Sequence, residues 1–358
     1  MSWIKQLENK FPQIKFRPNH LLSKVAYLKI GGPAELFCHI KEEQLLSDLL
    51  VYCFKEKILF NIIGDCSNTL ISDGSISGLV IKNDVRYMEL LEEFSGQENS
   101  KNLSKTSPRW KADRVKGSFK YDFEDLNYDE SSSPITHVKV SSGLPLPYLI
   151  TNSLKQHLTG LQWFAGIPGT VGGAIVNNIH GGTYFFNDLV RSVEVINKEG
   201  KRVVLVQKDL GSDYDSSRFH KSGEIIISAV LNLYKGNVEK AKHVQEEWIK
   251  RKKIQAKNSL GSVFQNLTAD QQKRLKIPTN SIGYVVEHLL QLQGKQIGKA
   301  QISKTHAGFI ENLGGATAAD YLALIKLINK KAKEKLLLKL LPEIVFLGFK
   351  DSELAGIL

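Results

Sequence analysis

The sequence predicts an α+β fold, and three observations support this prediction. Apolar residues recur at helical spacing between Glu42 and Lys57, and two short buried strands, ILFNIIG and GLVIKN, follow that helix. The β-branched runs RSVEVIN, KRVVLVQ and EIIISAVLNLY predict an antiparallel sheet, with the turn KEG between the first two. A charged helix is predicted after Gly236, and helical patterns dominate from Leu260 to the end of the chain.

The other segments follow in chain order. A polar turn cluster, GDCSNTLISDG, lies between the two short strands. HVKVSSGLPLPYLI predicts a strand that turns into a helix, NVEKAKHVQEEWIKRKKIQAK predicts a charged helix, and an apolar stripe from Thr317 to Leu340 predicts a long one. We therefore expect a first subdomain, a polar insertion, a second subdomain and a C-terminal domain, at residues 1–85, 86–136, 137–236 and 237–358.

The composition is that of an ordinary globular protein, with 42% apolar and 24% charged residues in 358. The chain has no run of eighteen apolar residues, and its first residues lack the apolar segment of a secretion signal, so we expect a cytoplasmic protein. Cys38, Cys53 and Cys66 lack metal-binding spacing and are expected to be reduced buried thiols. No metal site is predicted.

The formal net charge of +11 is concentrated in IKRKKIQAK and KLINKKAKEKLLLK. Three interpretations of this excess stay open: a nucleic-acid surface, solvated helix faces, or a field that attracts a small polyanion such as a nucleotide sugar or NADPH.

Six glycines fall within GIPGTVGGAIVNNIHGG, Gly166 to Gly182. The stretch lacks the lysine of a phosphate P-loop and the spacing of a dinucleotide-binding GxGxxG motif. Glycine also serves where bare backbone touches a flat, phosphate-bearing cofactor, or where a helix packs tightly with no ligand. A second polar loop, IGDCSNTLISDGSISGLVI, favours the cofactor, because Ser67, Asn68 and Thr69 are the small donors that a diphosphate needs.

Six motifs give the chain a specific resemblance. LKIGGPAE, IGDCSNTLISDG, GLQWFAGIPGTVGGAI, LGSVFQN, IGKAQISKTHAGFIENLGGATAADYLALI and LPEIVFLG occur in the order typical of the UDP-N-acetylenolpyruvoylglucosamine reductase family. The resemblance runs from about Ala26 to Gly348 and leaves residues 86–134 uncovered. It implies a two-subdomain FAD-binding fold of the PCMH, or vanillyl-alcohol-oxidase, type, with a C-terminal α/β substrate-binding domain.

The resemblance also implies which residues hold FAD. The SNTL motif matches the loop at the FAD pyrophosphate, and GTVGGAIVNN matches the turn beside the flavin ring. The FAD-binding residues implied are Gly64, Ser67, Asn68, Thr69, Gly169, Thr170, Gly172, Gly173, Ala174 and Asn178.

The reaction implied is the reduction, by NADPH through FAD, of the enolpyruvyl group of a UDP-sugar. Ser262 matches the proton-donating serine of the family, Glu343 is a carboxyl between apolar runs that can share a proton, and Asn266 matches a substrate-contacting residue. We expect a small-molecule UDP-sugar partner, with no nucleic acid and no membrane insertion.

Two positions depart from the family pattern. Tyr214 and Ser217 keep the frame of a substrate-binding motif, but Asp215 stands where the family has an arginine, and an acid there would repel a substrate carboxylate. Arg218 is a candidate replacement, provided that a bulge or bend turns it toward the site. His180 stands where a glycine is expected, and either shapes the site or is a hydrogen-bonded structural group.

Two other functions stay open at the sequence level. One is an FAD-linked oxidase or dehydrogenase of another small hydroxy acid on the same fold, which Asp215 and His180 suggest. The other is a degenerate flavin-fold protein that binds an anionic partner through its basic helices.

Overall fold

The computed structural model describes residues 2–91, 126, 128–182, 184–253 and 255–357. Most of the predicted polar insertion, residues 92–125 and 127, lies outside the described residues. The expected division at residues 85, 136 and 236 stays a prediction.

The first part of the chain builds a four-stranded sheet with the strand order β1-β2-β5-β3. Strand β5 pairs in parallel with β2 and β3, and β1 pairs antiparallel with β2. The predicted amphipathic helix, α2, packs Leu46, Leu49, Leu50 and Cys53 against this sheet. The elements are α1 (Trp3–Lys10), β1 (Arg17–Leu21), β2 (Pro33–Ile40), α2 (Glu43–Lys55), β3 (Phe60–Ile63), β4 (Thr69–Ile71) and β5 (Ile76–Asn83).

The second part is a five-stranded sheet in which every described pairing is antiparallel, with the order β11-β10-β12-β7-β6. Helices α3 and α4 contribute to one apolar core with its strands. The elements are β6 (Met88–Leu90), β7 (Ile135–Ser141), α3 (Leu146–Lys155), α4 (Val171–Val176), β8 (His180–Gly181), β9 (Tyr184–Phe185), β10 (Val190–Ile196), β11 (Arg202–Val206), α5 (Phe219–Ser222) and β12 (Ile225–Tyr234).

The third part packs the long helix α9 on a small antiparallel sheet with the order β13-β16-β15-β14. Helix α9 begins at the capping residue Thr317 and ends where Leu337 adopts a left-handed conformation. The elements are α6 (Val238–Lys252), β13 (Ser259–Ser262), α7 (Ala269–Leu275), α8 (Ile282–Tyr284), β14 (Gln296–Ile297), β15 (Ala300–Ile302), β16 (Phe309–Asn312), α9 (Ala318–Leu336), β17 (Val345–Leu347) and α10 (Asp351–Leu354).

The structure bears out the helices and the antiparallel sheet that the sequence predicts. The part beyond Gly236 contains a four-stranded sheet in addition to its helices, in agreement with the α/β domain that the resemblance implies. Its strands have two to four residues each, which is too short for an alternating pattern to stand out against the helical pattern.

Strand β17 returns to the first part of the chain and pairs in parallel with β4, so that Val345 lies opposite Thr69. A second connection caps α9 from outside, because the Asp73 carboxylate accepts hydrogen bonds from the amides of Ala318 (2.8 Å) and Ala319 (3.0 Å). The first and third parts are thus joined by backbone hydrogen bonds between β4 and β17 and by the Asp73 carboxylate at the start of α9.

Within the described segments, no helix is long and apolar enough to cross a membrane. The same segments contain no group of three or more histidine, cysteine or acidic side chains that could hold a metal ion.

We expect Asp73→Ala to lower the free energy of unfolding by about 1 kcal/mol, because the first amides of α9 lose their acceptor. Urea denaturation measures this change. Asp270→Ala, which removes an exposed first-turn acid from α7, is the matched control. A loss no larger than that of the control would contradict the capping role.

Candidate functional site

A single cavity of about 1560 Å³ lies where the three parts of the chain meet. Its wall is formed by the loop after β3, by the glycine-rich stretch around α4, by the turn before α5, and by segments on either side of β13 and before β17. Every predicted site residue except Asn178 and Arg218 lines this cavity. The fold therefore brings together predicted site residues that are up to 279 positions apart in the sequence, from Gly64 to Glu343.

A buried lysine anchors the cavity-lining loop from Gly64 to Thr69. Lys82, on β5, donates hydrogen bonds to the Gly64 carbonyl and to Asp65 Oδ1, both at 2.7 Å. Among the described residues, the backbone amides of Ser67 and Asn68 have no hydrogen-bond acceptor. Two adjacent free N–H groups after a left-handed Cys66 (φ 55°) form the kind of concavity that binds a phosphate oxygen.

The glycine-rich stretch lies directly against this loop. A Cβ atom added at Gly64 would come within 2.6 Å of Thr170 Oγ1, and one added at Gly169 within 2.8 Å of Ser67 Oγ. The Ser67 hydroxyl donates to the Pro168 carbonyl at 3.0 Å. The glycines thus permit two loops, about a hundred residues apart, to touch each other at the edge of the cavity.

The next glycines have separate roles. A Cβ at Gly172 would lie 3.0 Å from the Cβ of Ser142, so Gly172 is required for close packing on the turn after β7. At Gly173 the nearest atom would be Thr170 Oγ1 at 3.6 Å, and this glycine forms part of the open cavity wall. The stretch therefore combines close packing with a smooth surface for a ligand.

These residues fit FAD. The cavity is large, one end carries the unpaired amides of Ser67 and Asn68, and the adjoining wall at Gly173 and Ala174 has little side-chain bulk. A diphosphate needs free N–H donors, and a flat ring needs a wall without bulky side chains.

An acidic pair also lines the cavity. Asp215 accepts a hydrogen bond from His180 Nδ1 at 2.9 Å, and its side chain is only 6% exposed. Burial raises the pKa of Glu343 well above its usual range, and the neighbouring Asp215 charge raises it further. Burial also raises the pKa of Tyr214, with Asp215 and Glu343 adding to the effect. His180 stacks on Tyr214 with ring centroids 5.3 Å apart.

Ser262 and Asn266 face the same cavity from β13 and the loop after it. The Ser262 hydroxyl donates to the Phe264 carbonyl at 2.9 Å. Asn266 Oδ1 accepts from the Ile282 amide at 3.0 Å, and its side chain is hydrogen-bonded to Tyr214. Glu343 is tied to this loop, because its amide donates to the Val263 carbonyl at 2.9 Å.

The structure places Arg218 away from this cluster. Its guanidinium binds both carboxylate oxygens of Glu224 at 3.0 Å and donates to the Asp209 carbonyl at 3.1 Å. The chain turns tightly between Asp213 and Ser216, and Arg218 lies beyond this turn at the start of α5. The expectation that Arg218 reaches the site is therefore corrected.

Asn178 is also placed differently from the expectation. Its side chain is bonded to the Asp213 carbonyl and the Asn187 amide, at 2.8 and 3.1 Å, so it fixes the turn that carries Asp215. The neighbouring Asn177 lines the cavity instead. Its Oδ1 lies 3.4 Å from Asn68 Nδ2 and 3.2 Å from His220 Nε2.

Sequence reasoning missed two lysines at the site. Lys82 holds the first loop, and a lysine within the apolar run GLVIKN was the available signal. Lys252, at the end of α6, lies on the cavity wall with its Nζ 5.5 Å from the Trp248 ring centroid. Burial lowers the pKa of Lys252 to about 7. Nothing in its charged helix distinguished it from the exposed lysines beside it.

Two family models match the chain. The family model described as UDP-N-acetylenolpyruvoylglucosamine reductase, C-terminal domain, matches residues 252–347, and the one described as FAD binding domain matches residues 122–205. These two regions contain β13 to β17 and the glycine-rich stretch, respectively.

Full-length relatives carry the same name. The UDP-N-acetylenolpyruvoylglucosamine reductase of Caldanaerobacter subterraneus subsp. tengcongensis is 30% identical over 97% of this chain and 98% of its own length. That of Listeria monocytogenes serovar 1/2a is 27% identical over 96% and 99%.

A solved structure confirms the fold. The crystal structure of UDP-N-acetylenolpyruvylglucosamine reductase from Thermus caldophilus superimposes with a TM-score of 0.66 at 24% identity, covering 93% of this chain and 98% of that one. The described part of the chain therefore has the predicted FAD-binding fold with its additional C-terminal domain. From these matches and the site geometry, the chain belongs to the UDP-N-acetylenolpyruvoylglucosamine reductase family.

Proposed function

We propose that this protein is an NADPH-dependent flavoenzyme that reduces UDP-N-acetylglucosamine enolpyruvate to UDP-N-acetylmuramate, a step in peptidoglycan precursor synthesis. The single observation that supports this most is the cavity itself. It brings together a loop with two free amides, a bare-backbone wall, and the side chains of Ser262 and Glu343 in a chain of this family. The reduced thiols of Cys38, Cys53 and Cys66 suit a cytoplasmic enzyme.

The two loops on one side of the cavity hold FAD in this proposal. The amides of Ser67 and Asn68 would bind the pyrophosphate, with Gly64 and Thr69 at the ends of that loop. The backbone from Gly169 to Ala174 would lie along the ring, which explains why this stretch carries so few bulky side chains. FAD, when bound, supplies electron transfer from NADPH to the enolpyruvyl group.

Other residues of the same cavity would supply protons and orientation. Reduction of an enolpyruvyl double bond leaves negative charge that must be stabilised, and one carbon must receive a proton. Ser262 would give that proton, because its hydroxyl lies on the cavity wall on the strand that carries the loop to Asn266. Glu343, whose raised pKa favours the neutral acid, would donate a hydrogen bond to the developing charge.

The rest of the substrate would be held by polar groups around this centre. The hydrogen-bonded pair of Tyr214 and Asn266 provides contacts for the sugar and its carboxylate. The Lys252 ammonium on the cavity wall would pair with a phosphate, which would in turn restore its full positive charge.

Steady-state kinetics test the function directly. We expect the purified protein to carry a flavin absorption spectrum and to oxidise NADPH at a rate that depends on UDP-N-acetylglucosamine enolpyruvate. Oxidation of a 2-hydroxy acid without such dependence would favour the alternative oxidase. A colourless protein that binds nucleic acid with a steep salt dependence would contradict both flavoenzyme functions.

We expect Ser262→Ala to slow reduction of the enolpyruvate by about 100-fold or more, because it removes the proton donor. Reduction of bound FAD by NADPH should stay within about twofold of the parent rate, since that step needs no proton from residue 262. Stopped-flow absorbance of the flavin measures both steps.

Ser259→Ala is the matched control for this variant. Ser259 lies on the same strand and also lines the cavity, but its hydroxyl donates to the Ala256 carbonyl at 3.0 Å, and the residue is buried. Equal losses in the two flavin steps for Ser262→Ala would contradict the assigned role.

We expect Lys82→Met to weaken FAD binding by about tenfold, because the loop that offers the Ser67 and Asn68 amides loses two charge-assisted hydrogen bonds. Fluorescence titration of the flavin-free protein with FAD measures the dissociation constant. Lys55→Met, at an exposed position of α2, is the control. An FAD affinity equal to that of the control would show that Lys82 does not position the loop.

A further inference from the structure

The cavity extends from the Gly64–Thr69 loop into the cleft between the first two sheets. Ile62, on β3, and Ile225, on β12, both line the cavity. Both also pack on one apolar cluster that contains residues of the two sheets. Because Ile62 is only two residues from Gly64 in the sequence, this apolar section of the cavity adjoins the loop.

One acidic residue belongs to this section of the cavity. Glu224 lines the cavity directly before β12, and its side chain is only 12% exposed. The left-handed backbone of Gly223 (φ 69°) ends α5 and turns the chain toward the strand. The Glu224 amide donates to Ser222 Oγ at 3.2 Å, so local hydrogen bonding fixes the backbone at this position.

The Glu224 carboxyl is held by Arg218. Arg218 Nε and Nη2 donate to the two carboxyl oxygens, each at 3.0 Å, and Nη1 donates to the Asp209 carbonyl at 3.1 Å. Among the described residues, no other hydrogen bond reaches the carboxyl oxygens of Glu224. A carboxylate has about four acceptor sites, so about two remain for a ligand in the cavity.

Helix α5, which connects these two residues, lies close to the Gly64–Thr69 loop. His220 Nε2, on α5, is 3.2 Å from Asn177 Oδ1, and this oxygen is 3.4 Å from Asn68 Nδ2. Because α5 ends only two residues before Glu224, the acid lies near the part of the cavity that contains the proposed pyrophosphate site.

The chemistry of this section indicates which half of FAD it accepts. A carboxyl is the group that accepts hydrogen bonds from ribose hydroxyls in many dinucleotide sites, whereas it repels a phosphate. An apolar section suits the flat adenine ring that is attached to this ribose. In the proposed function the flavin ring lies along Gly173 and Ala174, which leaves this section for the adenosine half.

We propose that Glu224 binds the ribose hydroxyls in the adenosine half of FAD, and that Arg218 is a positioning residue that orients the Glu224 carboxyl. This inference rests on the proposed function, in which the Ser67 and Asn68 amides bind the pyrophosphate. It gives Arg218 a role at the cofactor in place of the role at the substrate that the sequence suggests.

The ion pair also suits the neighbouring phosphates. A carboxyl alone beside a pyrophosphate would repel it, and the Arg218 guanidinium offsets this repulsion. Arg218 therefore both orients the acceptor oxygens and makes an acid compatible with this place in the cavity.

Binding of FAD and FMN to the flavin-free protein tests the inference, because FMN lacks the adenosine half. We expect Glu224→Met to weaken FAD binding by about tenfold, because the hydrogen bonds from the ribose hydroxyls are lost. The affinity for FMN should stay within about twofold of that of the parent protein. Fluorescence titration of the flavin measures both dissociation constants.

The dideoxy analogue of FAD, which lacks both hydroxyls of the adenosine ribose, tests the same contact in the parent protein. We expect this analogue to bind about tenfold more weakly than FAD to the parent protein, and as tightly as FAD to Glu224→Met. This comparison replaces the one with FMN where FMN binds too weakly to be titrated.

Arg218→Met tests the positioning role. It should weaken FAD binding and leave FMN binding unchanged, and in the Glu224→Met background it should cause no further loss, because Arg218 acts through the carboxyl. An equal further loss in that background would show that Arg218 attracts the phosphates directly and would contradict the positioning role.

Glu194→Met is the matched control. Glu194 is ion-paired with Arg202 at 2.8 Å in the same part of the chain, and neither residue lines the cavity. We expect this variant to bind FAD and FMN as the parent protein does.

Two results would overturn the inference: FAD and FMN affinities that fall together in Glu224→Met, or a dideoxy analogue that binds the parent protein as tightly as FAD. If Glu224→Met does not fold, an FAD affinity of Arg218→Met equal to that of the control contradicts the proposal, and a loss confined to FAD supports it.

The comparison with Lys82→Met separates this inference from the proposed function. Weaker FAD binding in Lys82→Met but not in Glu224→Met would contradict the ribose contact and leave the proposed pyrophosphate site. A selective loss in Glu224→Met without any loss in Lys82→Met would uphold the ribose contact and contradict the role of the loop. Flavin binding is measured without turnover, so these outcomes do not depend on reduction of the enolpyruvate.

Discussion

The parallel pairing of β17 with β4 is the interaction on which the site depends. It joins segments 276 positions apart, with Val345 opposite Thr69, and the Asn68 side chain adds a hydrogen bond of 3.1 Å to the Glu343 carbonyl. Because the Val345 amide also binds the Asn68 carbonyl, the loop that carries the free Ser67 and Asn68 amides and the segment that carries Glu343 are fixed to each other by main chain. The third part of the chain is thus an integral wall of the cavity, and its position sets the distance across which the chemistry takes place.

Close approach of backbone explains most of the remaining geometry. Gly64 against Thr170 and Gly169 against Ser67 let two loops share one edge of the cavity, and larger residues at either glycine would push the loops apart. Burial makes charge expensive, so acidic side chains that line the cavity need a polar partner or a proton. Asp215 is paired with His180, and burial raises the pKa of Glu343.

The sequence predicts well those features that depend on local pattern. Helices α2 and α9 and the five-stranded sheet have long periodic stretches. The two loops that line the cavity stand out by their many glycines and small polar residues. Features set by contacts distant in sequence were not predictable. Lys82 anchors the Gly64 loop through a contact that exists only in the folded chain. Arg218, expected to bind the substrate carboxylate, is instead placed beside Glu224 by a tight turn that the sequence does not reveal. Strands of two to four residues leave no periodic signal at all.

The central claim is that one cavity holds the flavin along the two glycine loops, with Ser262 and Glu343 beside the reacting group. A crystal structure of the FAD-bound protein with UDP-N-acetylglucosamine enolpyruvate tests it most directly. We expect the flavin ring along Gly169 to Ala174, the enolpyruvyl group on its exposed face, and the Ser262 hydroxyl within hydrogen-bonding distance of that group. A flavin bound elsewhere, or a Ser262 hydroxyl separated from the enolpyruvyl group by the protein wall, would contradict the claim.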